Sequence, residues 1–398
     1  MTLSDSPEPV SYRRSILLSY VSTLFFWGAV YVYMPILSPY SNMVSGSLTS
    51  VGIVVGAYGL AQLILRVPLG ICSDRWRRRK FFFLLGFIFD GLGSLGLLLS
   101  GSTAMLFLSV FTAGIAASMW VPSIILITSY FPPGQIALSM SLALFFTRLA
   151  QILSNYAGGV IAEAWGWTAP FYVGIVLSAA GFFLATGMSE KRPAKGAGVS
   201  LRELLLLGRN PLVLTPSVIC ALLQFTIFST SFGFTPIYAQ QVGASKAQLG
   251  TLLFYYMLTN TLATLISGTY ARRWFSERQI VLTGFVLVAA AVFFIPLASR
   301  VEALYMLQAL HGIGVGLLFP LLMSLAVQFI PPEQQATAMG FYQCVYAIGM
   351  TLGPIASGVV AQPLGLSWVF FFNGLLCVGG GLFGFLKISD RRAEPARR

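Results

Sequence analysis

The chain has 398 residues, of which 57% are hydrophobic and only 9% charged, with a net charge of +12 and a mean hydropathy of +0.81. A water-soluble domain carries about 25% charged residues, so this composition excludes an ordinary soluble protein and points to a membrane protein with its length spread over many spans. The positive charge gathers beside apolar runs, which matches anionic lipid headgroups and removes the need for a nucleic-acid partner.

The first fifteen residues are polar and end near Arg13 and Arg14. The apolar run that follows has no small-residue cleavage site and reads as an uncleaved first span. A spanning helix needs about 20 mostly apolar residues, and charged or Pro/Gly-containing breaks cut the chain into twelve: 16–38, 48–71, 80–100, 103–130, 135–162, 167–188, 212–240, 247–271, 279–298, 302–330, 335–361 and 365–387. Twenty of the 24 Lys and Arg residues fall on the side of the two termini. By the positive-inside rule both termini are therefore cytoplasmic, in a cytoplasmic (inner) membrane. Cys72, Cys220, Cys344 and Cys377 lie in or beside apolar runs without ligand-like spacing and read as small buried hydrophobes.

The halves repeat each other. Phe131-Pro132-Pro133-Gly134-Gln135 returns as Ile330-Pro331-Pro332-Glu333-Gln334, and the offset of 199 continues through Gly159 and Gly358, Ala162 and Ala361, Gly166 and Gly365. Upstream the offset is 198, with Gly70, Arg75 and Trp76 matching Gly268, Arg273 and Trp274. The expected architecture is an all-α membrane protein of twelve transmembrane helices in two pseudo-symmetric six-helix bundles, 1–188 and 211–398, joined by a cytoplasmic linker at 189–210. An even number of helices per unit makes the copies parallel, related by an axis along the membrane normal.

With twelve spans in two repeats and the stretch Gly70-Ile71-Cys72-Ser73-Asp74-Arg75-Trp76-Arg77-Arg78-Arg79-Lys80 between spans 2 and 3, the sequence resembles the major facilitator superfamily. Gly70, Asp74, Arg75, Arg78 and Arg79 fit the family's loop motif, and Arg77 stands where its second glycine is usual. The resemblance implies a gating motif: Asp74 and the arginines clamp the cytoplasmic ends of the halves in the outward-facing state, Asp74 facing the N-terminus of span 11, whose dipole attracts an anion. The alternative is a topology anchor alone. The Gly-Pro of proton antiporters is missing from span 5, which reads Ser154-Asn155 there. The span 4 arginine of many drug exporters is Val110. Both absences count against a standard drug/proton antiporter.

Charges within spans are costly, so each is a functional candidate. Ser141, Arg148, Gln151 and Asn155 share one face of span 5; Arg148 either holds an anion by forked hydrogen bonds or forms an internal ion pair, for instance with Asp90, that only holds helices together. Arg66, about 12 Å below the motif, belongs either to the inner mouth or gate or to a pair near the loop, with Gln62 on its face. Asp90 in span 3 and His311 in span 10 are candidate proton-coupling groups, with structural pairing and a neutral, hydrogen-bonded histidine as their alternatives. Tyr31, Gln224 and Gln343 complete the candidate substrate contacts.

No catalytic constellation, metal site, cofactor motif or Walker-type phosphate loop is visible. The expected function is a monomeric secondary transporter, not an enzyme, moving a small molecule by alternating access with the proton as coupling ion. The substrate class expected is an organic anion or polar metabolite. Proton-antiport efflux of drugs, and a non-transporting receptor on the same fold, are the competing readings.

Overall fold

A computed structural model describes residues 12–190, 203, 206–267, 274–331 and 334–388. Twelve helical spans cross it: Arg13–Ser45, Leu48–Ser73, Arg79–Leu98, Thr103–Ser129, Ile136–Trp165, Ala169–Thr186, Pro211–Gln241, Lys246–Ile266, Glu277–Leu297, Val301–Leu325, Gln335–Leu364 and Leu366–Lys387. They are called spans 1 to 12 below. Helices are the expected solution because hydrocarbon offers no partners for backbone N–H and C=O groups, and a helix satisfies them internally. Twelve crossings put Arg13 and Lys387 on one face, the terminal face. The short turns at Gly46, Gly166, Gly243 and Gly365 lie on the opposite, distal face, each glycine with positive φ.

The twelve spans agree with the sequence reading in number and order, with ends shifted by a few residues. Most of the linker 189–210 and the repeat copy of the motif at Gly268 to Arg273 lie outside the described residues.

Two spans are interrupted at equivalent places. Span 1 breaks between a helix ending at Tyr31 and one starting at Met34. Span 7 passes through a π turn at Thr230–Phe234. In each case a proline follows at once, Pro35 and Pro236, which removes a backbone donor and stops a regular helix running through.

Spans 1–6 pack as one bundle and 7–12 as the other, meeting chiefly through spans 2 and 11 and through spans 5 and 8. Toward the distal face these contacts are backbone to backbone. A Cβ placed on Gly52 would overlap the carbonyl oxygen of Pro354, and one on Gly250 would lie 2.7 Å from that of Asn155. Small residues at helix crossings let main chains approach closely where hydrophobic segregation from lipid gives little drive.

In the motif loop Arg77, which stands where the family's second glycine is usual, adopts a backbone conformation that glycine takes readily. Arg77 has φ of 56°, the only positive-φ non-glycine among the described residues, and caps the helix of span 2 with its N–H on Ser73 O. Lys80 ties the start of span 3 to the end of span 6, donating from Nζ to Thr186 O at 2.7 Å and Met188 O at 2.6 Å. Arg75 and Arg78 are exposed. Among the described residues nothing beyond its own stretch of helix lies within 4 Å of where a Cβ on Gly70 would sit.

Candidate transport cavity

A cavity of about 230 Å³ lies between the bundles. Its lining comes from spans 1, 2, 4, 5, 7, 8, 10 and 11, with nothing from spans 3, 6, 9 or 12. Tight crossings of spans 2 with 11 and 5 with 8 seal it distally. Toward the terminal face it is looser: Leu144, on the rim, is 47% exposed.

Arg66 and Arg148 are the only charged residues in the lining. Arg66 is nearly buried, donates from Nη1 to the Tyr346 hydroxyl and from Nη2 to Gln62 Oε1, and its guanidinium carbon lies 5.7 Å from the centre of the Tyr346 ring. It therefore faces the chamber from its terminal side and does not reach out to the loop. Arg148 donates from Nη1 to Gln151 Oε1 at 3.0 Å and is half-buried. An arginine held by an amide oxygen keeps its remaining N–H groups for an anion.

Of the other candidates, Gln151, Tyr31 and Gln224 line the same space, as do Trp27, Trp120 and Asn260. Asn155 is fully buried one turn distal of Gln151, whose carbonyl accepts its amide N–H at 2.7 Å, and does not border the cavity. Gln343 is half-buried and also outside the lining; Tyr346 and Met350, three and seven residues on, present the inner face of span 11. Ser141 is exposed toward the terminal end of span 5. Sequence reasoning passed over Tyr346, Tyr256, Tyr58, Phe228 and Phe232, which make much of the wall aromatic.

Asp90 is buried in the first bundle, and neither carboxyl oxygen has a hydrogen-bond partner among the described residues. It forms no ion pair with Arg148, so the pairing reading of both residues lacks its contact. His311 is fully buried beside the cavity wall, its ring 5.3 Å from that of Tyr256. Ser231 in the π turn donates to Gln308 Oε1 at 2.9 Å and meets His311 Nδ1 at 3.0 Å. The other ring nitrogen, Nε2, has no hydrogen-bond partner among the described residues. Among the described residues no group of three His, Cys, Asp or Glu is placed to hold a metal.

A chamber between two pseudo-symmetric bundles, sealed on one face and looser toward the other, is the architecture of an alternating-access transporter. The model of the Major Facilitator Superfamily matches residues 16–245 and 217–398, and the chain belongs to that superfamily. It is 21% identical over 387 residues to an uncharacterized MFS-type transporter of Methanocaldococcus jannaschii, covering 94% of this chain and 98% of the relative. The fold is similar to the crystal structure of a mutant of the nucleoside transporter NupG, with a TM-score of 0.79, 14% identity, and coverage of 94% of this chain and 100% of that one. It is also similar to an inward-facing, unoccupied structure of a bacterial homolog of the human lysosomal transporter Spinster, with a TM-score of 0.77, 16% identity, and coverage of 96% and 98%.

Proposed function

We propose that this transporter carries a small organic anion with an apolar or aromatic body. The observation that carries the reading is the charge of the lining: two guanidinium groups, no carboxylate, and otherwise mostly aromatic and amide side chains with a few aliphatic ones. Guanidinium forks bind carboxylate or phosphate oxygens in pairs, and the aromatic wall receives the rest of the molecule. A cationic drug would meet two like charges and no acid.

Alternating access arises as the bundles 1–188 and 211–398 rock about the cavity, with 189–210 joining them. The proton is the coupling ion in this reading. Asp90 and His311 are its candidate carriers because each is buried and holds polar atoms without a partner among the described residues, so a change of protonation is felt directly by the packing around it. The chain works as a monomer in the inner membrane with both termini cytoplasmic, an orientation supported by the distribution of Lys and Arg.

A thermal-shift screen of the purified protein against organic anions, cations and neutral solutes at two pH values tests the class, since a ligand stabilises the state it binds. Flux of the hits into proteoliposomes with and without a proton gradient follows. Stabilisation by cations alone would overturn the anion reading, and binders without flux would make the protein a receptor.

A further inference from the structure

We propose that Glu163 and Gln362 are the two limbs of a latch that holds the distal face closed, each fastening its own bundle to a helix N-terminus of the other. Glu163, near the distal end of span 5, accepts through Oε2 from the backbone N–H of Lys246, the first residue of span 8, at 2.8 Å. Gln362, near the distal end of span 11, accepts through Oε1 from the backbone N–H groups of Leu48 at 2.8 Å and Thr49 at 3.3 Å, and from the Ser47 hydroxyl at 3.2 Å. These are the donors that the first turn of a helix leaves without internal partners. Each helix satisfies its third N–H with its own cap, Ser47 accepting from Ser50 and Ser245 from Gln248. The remaining first-turn donors named here are met from the opposite bundle.

The two limbs are the same device repeated. Glu163 and Gln362 are 199 residues apart, the offset of the internal repeat, while Ser47 and Leu48 stand 198 before Ser245 and Lys246. The crossings beneath them repeat as well. The Cα atoms of Gly358 and Gly159 lie 3.2 and 2.9 Å from where Cβ atoms on Gly52 and Gly250 would sit. Rocking that opens the distal face separates span 2 from 11 and span 5 from 8, so these bonds exist only in the distally closed state. A group bonded in one state and released in the other sets the balance between them. The limbs differ in charge. Glu163 meets a helix whose first residue is Lys246, itself held over the Trp167 ring at 5.1 Å, whereas Gln362 meets the neutral Leu48.

The latch is independent of the cargo, and its test reads conformation. Spin labels on Met43→Cys at the distal end of span 1 and Leu364→Cys at that of span 11, both exposed positions, report the distal opening by pulsed dipolar spectroscopy, with Cys72 and Cys344 replaced by alanine. Gln362→Ala and Glu163→Ala should each raise the ratio of distally open to closed protein about fivefold, the ordinary worth of one helix cap. The double variant should multiply the two effects. Glu163→Gln, which keeps an acceptor oxygen but loses the charge facing the helix N-terminus, should open less than Glu163→Ala. Distance distributions unchanged in both alanine variants and the double would overturn the proposal, as would Glu163→Gln opening as far as Glu163→Ala. If an alanine variant does not fold, Gln362→Glu tests the same limb in the other sense: a carboxylate at the N-terminus of span 2 should lower the open fraction, and an unchanged or raised fraction would count against the latch.

Discussion

Arg66 of span 2 donates to the hydroxyl of Tyr346 in span 11, so a cation of the cavity lining also ties one bundle to the other across the chamber. In the proposed anion reading, an arriving anion competes with the phenol for the same guanidinium. Arg66→Gln should therefore weaken anion binding about tenfold or more, since a hydrogen bond to a charged group contributes about 1.5–3 kcal/mol. Tyr346→Phe removes only the competitor and should leave affinity unchanged or improved. Isothermal titration of both proteins checks this, and an equal loss in each would place the phenol among the ligand's own contacts.

Arg148 offers a fork held by Gln151. Arg148→Lys keeps the charge and loses the planar pair of donors, so transport should fall about tenfold or more, and Arg148→Ala should fall further. The measurement is uptake into proteoliposomes at matched protein content. Full activity in both variants removes Arg148 from the site.

Asp90 and His311 separate through the pH profile of transport. If Asp90 carries the proton, Asp90→Asn should transport without response to an imposed proton gradient, while anion binding in the cavity, whose lining does not include Asp90, persists. His311→Gln tests the histidine in the same way. A profile unchanged in both variants dismisses both residues as carriers.

The turn after span 2 holds Arg77 in the left-handed region, which costs a residue with a Cβ roughly 1–2 kcal/mol relative to glycine. Arg77→Gly should raise the thermal midpoint, and Arg77→Ala, which keeps the strain, should not. Differential scanning calorimetry distinguishes them. In the neighbouring helix end, Asp74→Asn tests the gating role that the family resemblance implies for the motif: in that role the change should slow transport with little change in ligand affinity.

Span number, repeat and family were legible because hydropathy and a constant offset are properties of the chain itself. Helical phase across an interface was not. Gln343 was chosen for its amide, yet the turn of span 11 that faces the chamber carries Tyr346 and Met350. Asn155 shares the polar face of span 5 but sits one turn too far distal, where Gly250 closes against its carbonyl. Arg66 could be placed by depth, though its partner lies 280 residues away and no local pattern announces it. Glu163 and Gln362 did leave a trace: they directly follow Ala162 and Ala361, a matched pair of the repeat, and share an acceptor oxygen at one register position.

The cavity's two arginines also determine how voltage acts on the protein. Guanidinium groups stay charged in proteins, so the unloaded chamber is doubly positive and a monovalent anion only halves that charge. Moving one elementary charge through the whole membrane potential is worth about 2.3 kcal/mol per 100 mV. To whatever extent the chamber's charge shifts through the field as the bundles rock, empty and loaded carriers therefore feel different electrical forces. For the anion alone, the return of the empty carrier is the more voltage-sensitive half of the cycle, and a proton carried with the anion restores the lost charge and evens the two halves.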